Sequence, residues 1–191
     1  MEFHYFILYL SALVWIFPIF RQYKTKYFIF FLALGTADLF SEALKKFDLV
    51  ETNLHVVIIS YISYLGVLDK TKLRKYWYIY TIVFVPFIIV NLITSNIFQV
   101  FSIIIIDLAI LLSILTDFYN DIVDDKEINL FFVVFILYQV SSVVKMFNVI
   151  TYTFGGLYYF VVMLAFQILI GIFFSFYRPD KPKIAFPLKS N

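Results

Sequence analysis

The sequence predicts an all-α, polytopic integral membrane protein, a bundle of seven transmembrane helices with the N-terminus outside and the C-terminus inside. Three observations carry that reading. The 191 residues are 63% hydrophobic and 15% charged, with a mean hydropathy of +0.92, whereas a soluble domain is about half apolar and a quarter charged. Apolar runs recur along the chain, separated by short polar clusters. Of the 15 Lys and Arg residues, 12 fall in alternate clusters and the tail, the bias that marks the cytoplasmic face.

The first run, 3–20, is preceded by Glu2 and His4 and ends Trp-Ile-Phe-Pro-Ile-Phe-Arg. Without a basic leader or a small-residue cleavage site, it is expected to be a retained helix and not a signal peptide. Arg21, Lys24 and Lys26 form a basic loop before the second helix, 27–44. Lys45, Lys46, Asp48 and Glu51 make a balanced loop, and 54–68 is the third helix. Its fifteen residues would rise about 22 Å, short of a hydrocarbon core of about 30 Å, so the span requires local thinning. The cluster Lys70, Lys72, Arg74, Lys75 belongs on the side of the 21–26 loop.

The fourth helix, 76–94, opens on a Tyr-Trp-Tyr belt and carries Pro86, an expected kink. Thr94-Ser95-Asn96 turns tightly into the fifth, 97–116. Residues 117–127, with Asp117, Asp121, Asp124, Asp125 and Glu127, read as an acidic loop. The sixth and seventh helices are 128–149 and 156–177, so residues 1–177 form a single transmembrane domain. The tail, 178–191, is cytoplasmic, and its three prolines are expected to prevent regular structure. The setting is a plasma membrane or a bacterial inner membrane.

Charges inside the apolar runs mark the candidate site. On insertion scales a central carboxylate or ammonium costs about 2.5–3.5 kcal/mol, so such groups normally face the bundle interior and a partner. Asp38, Glu42 and Lys45 follow i, i+4, i+7 spacing, with Ser41 beside them. Ser141, Ser142, Lys145 and Asn148 share a face of the sixth helix. In this topology Gln99 and His55 begin their helices at the same level. Asp38, Glu42, Lys145, Asn148, His55 and Gln99 are therefore the candidate lining of a pocket between helices two and six. It is open to the outside and suited to a small anionic or zwitterionic ligand or an ion. The bland alternative is a buried Glu42–Lys145 ion pair that fixes helix register. Asp107, flanked by Ile and Leu, is a separate buried charge, with a proton-relay or cation role or a hydrogen bond to Ser, Thr or Tyr of another helix.

Several chemistries are excluded by residue type. There is no cysteine for disulfides, thiol nucleophiles or thiolate metal sites. Two histidines, His4 and His55, cannot build a multi-imidazole metal or haem centre. No catalytic set, metal, cofactor or nucleic-acid partner is therefore expected. Asn120-Asp121-Ile122-Val123-Asp124-Asp125 resembles a fragment of the Asn-Asp-x-x-Asp motif with which UbiA-type prenyltransferases hold Mg²⁺ and a diphosphate. That family's next aspartate would fall at Ile128, and its second Asp-rich loop has no counterpart here. The expected function is a non-enzymatic membrane module, a sensor, receptor-like input or accessory subunit working with a membrane protein partner. The alternatives are a small proton- or cation-coupled carrier and a Mg-dependent prenyltransferase-like enzyme.

Overall fold

Apolar periodicity sets the helices, and the computed structural model describes them over residues 2–46, 53–151, 156–180 and 185–187. Within these, the side chains of Asp38, Glu42, Lys45 and Lys46, among others, fall outside the described residues. The order is α1 (Glu2–Arg21), α2 (Phe28–Lys46), α3 (Leu54–Val67), α4 (Lys70–Ile93) and α5 (Asn96–Asp125). Strand β1 (Glu127–Asn129), α6 (Leu130–Thr151), α7 (Gly156–Phe176) and β2 (Ala185–Pro187) follow. Three helical stretches, Leu73–Ile93, Asn96–Asp125 and Leu130–Thr151, are long and apolar enough to cross a membrane. Tyr9–Arg21, Phe28–Ala37, Leu54–Val67 and Val161–Phe176 are shorter apolar stretches.

Six helices close a ring. α1 packs on α7 and α2, α2 on α3, α3 on α5, α5 on α6, and α6 returns to α7. Successive helices run in opposite directions, so the last residues of α2, α4 and α6 and the first of α3, α5 and α7 share one end, here the upper end. The α1–α2, α3–α4 and α5–α6 connections and the last turn of α7 occupy the lower end. α4 stands outside the ring. It is held by a Tyr61–Phe84 ring stack at 4.3 Å, by the Tyr61 hydroxyl donating to the Tyr80 carbonyl at 2.9 Å, and by Gln99 Nε2 donating to the Asn91 carbonyl at 2.9 Å.

Glycine permits the closest helix approaches. A Cβ on Gly66 of α3 would collide with the Phe30 backbone nitrogen of α2, and one on Gly35 of α2 would lie 2.5 Å from the Trp15 carbonyl oxygen. Backbones this near gain dispersion contacts that a larger residue would forbid, as small residues do at membrane helix interfaces. At the level of the Gly66 crossing an aromatic plug fills the ring. Phe31, Phe135 and Phe174 are fully buried, and Phe135 lies 4.8 Å from Phe30, 5.8 Å from Phe31 and Phe131, and 5.7 Å from Phe174 between ring centroids.

Three sequence expectations are corrected. Residues 117–125 are not a loop, because α5 continues through them to Asp125. Phe118 extends the apolar stripe onto Phe132, 6.1 Å between centroids. Asp117 accepts from Lys26 Nζ at 2.6 Å and from the Tyr27 hydroxyl at 2.7 Å. Acidic groups at a helix C-terminus oppose the helix dipole, and these contacts offset the penalty until Lys126, left-handed at φ 53°, caps the helix onto the Ile122 carbonyl. The basic stretch 70–75 is likewise helical, forming the start of α4 behind an Asp69 cap. The interior break in that helix falls at Tyr76 (φ −115°, ψ 18°), ten residues before Pro86. Finally, part of the tail is ordered in pairing despite Pro187. β2 runs antiparallel to β1 with Glu127 opposite Pro187 and Asn129 opposite Ala185. A two-stranded ribbon consists of edges, where a proline is tolerated.

Replacing Asp117 by alanine leaves Lys26 and Tyr27 without their shared acceptor. Hydrogen bonds to charged groups are worth about 1.5–3 kcal/mol, and we expect a loss of that size, read as a lowered midpoint of thermal unfolding in detergent. Asp117→Ala with an unchanged midpoint would show that the lower-end contacts contribute nothing to the fold.

Candidate functional site

Above the aromatic plug the ring encloses a polar cavity of about 230 Å³. Each helix of the ring contributes. α1 supplies Ser11 and Trp15, α2 Phe30, Leu34, Ala37 and Ser41, and α3 Val56, Ile59, Ser60 and Ser63. α5 supplies Ile103, Asp107 and Ile110, α6 Tyr138, Gln139, Ser142, Lys145 and Met146, and α7 Gln167. Trp15, Phe30, Ile110 and Tyr138 are the lining residues nearest the lower end on their helices, so they form the floor. Ser41, Val56 and the pair Lys145–Met146 are the lining residues furthest toward the upper end on α2, α3 and α6.

Helical spacing explains why these side chains meet. On α5, Ile103, Asp107 and Ile110 follow i, i+4, i+7 on the buried stripe that also holds Ile106 and Ile114. On α3, Val56, Ser60 and Ser63 repeat the same spacing, and on α6 Tyr138, Ser142 and Lys145 do so again. Each helix therefore turns a narrow polar strip inward within an apolar barrel.

Asp107 anchors the polar lining. It is 5% exposed, and one carboxylate oxygen accepts from the Ser142 hydroxyl at 2.9 Å. Gln139 Nε2 donates to the Asp107 backbone carbonyl at 3.1 Å, which ties α6 to α5 at that level. The Lys145 ammonium, of opposite charge, lines the same cavity as the Asp107 carboxylate. On the neighbouring wall, α3, the Ser63 hydroxyl, in a residue 2% exposed, has no hydrogen-bond partner among the described residues. A buried polar group without a partner costs about 1–3 kcal/mol, so this wall is built to meet water or a polar ligand. At about 30 Å³ per water, the space accommodates several waters or one small solute.

The residues singled out from the sequence separate into three sets. Lys145 and Asp107, expected as distinct features, line one cavity, together with Ser41 and Ser142. His55 and Asn148 are half-buried and do not line it, although their neighbours Val56 and Lys145 do. Gln99 is 1% exposed but serves the α4–α5 corner through Asn91. The side chains of Asp38 and Glu42 lie outside the described residues. Sequence reasoning missed Ser11, Ser60, Ser63, Gln139 and Gln167. Neutral polar residues carry little weight singly, and the inward repeat of Ser60 and Ser63 with Val56 was the available signal.

The residues resembling a diphosphate motif, Asn120 to Asp125, occupy the last turns of α5. A helix C-terminus presents the negative end of the dipole and repels phosphate. Among the described residues no three His, Cys, Asp or Glu side chains are grouped to hold a metal ion. Comparison with known proteins adds no template, because no family model, curated protein or solved structure matches the chain.

Proposed function

We propose that this chain is a seven-span integral membrane module, N-terminus outside, that admits a small charged or zwitterionic solute to the cavity between its helices and acts as a sensor, receptor-like input or accessory subunit. One observation carries the proposal: a single cavity presents the Asp107 carboxylate, the Lys145 ammonium and the Ser63 hydroxyl, which has no partner among the described residues, beside further Ser and Gln side chains. Opposite charges at one small site suit a ligand that carries both signs or a single ion exchanged against one of them. The orientation rests on the distribution of Lys and Arg along the sequence, 12 of 15 in the alternate clusters and the tail, which would put the lower end in the cytoplasm. The cavity then lies in the outer half of the bundle, and the aromatic plug separates it from the cytoplasmic side. The lipid bilayer is the obligatory partner, and the lower end, with its basic clusters and paired tail, is where a membrane protein partner would receive the signal.

A second reading, a proton- or cation-coupled carrier, is favoured by Asp107, a buried ionisable group within the apolar part of α5, such as a coupling site needs. A panel of small zwitterions, inorganic cations and anions, screened by thermal stabilisation of the detergent-solubilised protein, tests the binding reading. A saturable stabilisation that Asp107→Asn removes supports it. Silence across the panel, with ion flux in proteoliposomes, would favour the carrier.

A further inference from the structure

A groove of about 570 Å³ runs along the outside of the ring between α1 and α7, away from the polar cavity. Its walls are Val14, Phe17, Phe20, Ile172 and Phe176, and Arg21 closes its lower end. Phe17, Phe20, Ile172 and Phe176 are 55%, 74%, 43% and 67% exposed, so the groove faces what surrounds the bundle. From Val14 to Arg21 it extends about 10 Å along the helix at 1.5 Å per residue, roughly two-thirds of one leaflet's hydrocarbon depth.

Arg21 differs from the other lower-end cations. Its Nε donates to the Phe176 carbonyl at 3.0 Å, which holds the guanidinium at the mouth of the groove, and both terminal nitrogens are without a hydrogen-bond partner among the described residues. No carboxylate pairs with it among the described residues. The nearby acids are engaged: Asp117 by Lys26 and Tyr27, and Asp180 by Arg178 at 2.9 Å. A pre-oriented guanidinium whose end-on edge, Nη1 and Nη2, has no partner among the described residues matches a phosphate oxygen pair. An apolar channel beneath it matches an acyl chain.

We infer that this groove is a binding site for one anionic glycerophospholipid of the leaflet at the basic end, its phosphate on Arg21 and an acyl chain against Phe17, Phe20 and Ile172. The inference rests on the chain spanning a membrane and is independent of the cavity. The test uses wild-type protein in vesicles of equal phosphatidylglycerol and phosphatidylcholine, one or the other carrying a photoactivatable diazirine in its acyl chain. Labelled peptides are mapped by mass spectrometry. Peptides of α4, whose Ile82, Ile89 and Ile93 are 67%, 52% and 80% exposed, report general lipid contact and show whether the protein is embedded at all. Peptides covering 14–21 and 172–176 should be labelled at least threefold more by phosphatidylglycerol, while α4 shows no preference. Arg21→Gln should abolish the preference and Lys24→Gln, a neighbouring cation, should keep it. Equal labelling of the groove by both lipids in the wild type overturns the inference, whether or not Arg21→Gln folds. Retained preference in a folded Arg21→Gln protein overturns it as well.

Discussion

Truncating Phe135 to alanine should destabilise the bundle by about 3 kcal/mol and open the floor of the cavity. Phe135 is 0% exposed and touches rings just before α2, in α2 and in α7: Tyr27 at 5.2 Å, Phe30 at 4.8 Å and Phe174 at 5.7 Å. Phenylalanine-to-alanine changes in buried cores cost about 3–5 kcal/mol, the sum of a transfer term and a cavity term. In lipid the separated helices do not expose the ring to water, so the transfer term shrinks and packing dominates. The lower end of that range follows. Phe31 and Phe174 should behave alike, because the same rings surround them. Substituting Phe135 by leucine, which keeps much of the volume, should recover more than half of the loss. The measurement is the thermal midpoint in one detergent for the wild type and both variants. A Phe135→Ala protein as stable as wild type would mean that the plug is not packed as described.

Asp107 gives the second large effect, and here the effect is on function more than on stability. Asparagine preserves the shape and can still accept from Ser142, so Asp107→Asn should alter the midpoint by less than about 1 kcal/mol. Leucine forfeits the Ser142 bond and leaves that hydroxyl to find another acceptor. Interhelical hydrogen bonds in membranes are worth about 0.6–2 kcal/mol, and Asp107→Leu should lose that amount. The charge is what a ligand or ion reads. We therefore expect both variants to weaken solute binding at least tenfold, with Lys145→Met doing the same for an anionic or zwitterionic solute. The ratio of binding constants, measured beside the midpoint, separates the two roles. An Asp107→Asn protein that binds as the wild type does would remove the carboxylate from the site.

Much of the helical framework was legible because membrane helices advertise themselves by length and apolarity. The start of α2, the bounds of α3 and the α4–α5 turn were read to within two residues of where they lie. The misreadings share a cause. Residues 117–125 look like a solvated acidic loop, since nothing in the sequence shows that Lys26 and Tyr27 arrive from ninety residues away to donate to Asp117. The β1–β2 pair was hidden for the same reason, because both strands are three residues long and their pairing spans the last two helices.

The candidate site was half legible. Asp107 and Lys145 stood out because charge in an apolar run is costly. Their meeting in one cavity depends on the rotation of α5 against α6, which the Gln139 bond to the Asp107 carbonyl fixes and the sequence does not state. Ser60 and Ser63 escaped notice because hydroxyls are common in membrane helices and usually bond to their own backbone. Ser175 does so with the Gly171 carbonyl at 2.8 Å, and Ser63, without such a bond, differs in a way that only three dimensions reveal.

The central claim is that the polar cavity opens to the outside and is closed toward the basic end. The absence of native cysteine makes the direct measurement simple. Ser63→Cys places a single thiol on the cavity wall, and a small membrane-impermeant thiosulfonate is applied to sealed vesicles of right-side-out and inverted orientation. We predict labelling in right-side-out vesicles, protection in inverted ones, and labelling in both once Phe135→Ala is added to open the floor. Labelling of the Ser63→Cys protein from the tail side alone, or from neither side, would contradict the proposed site.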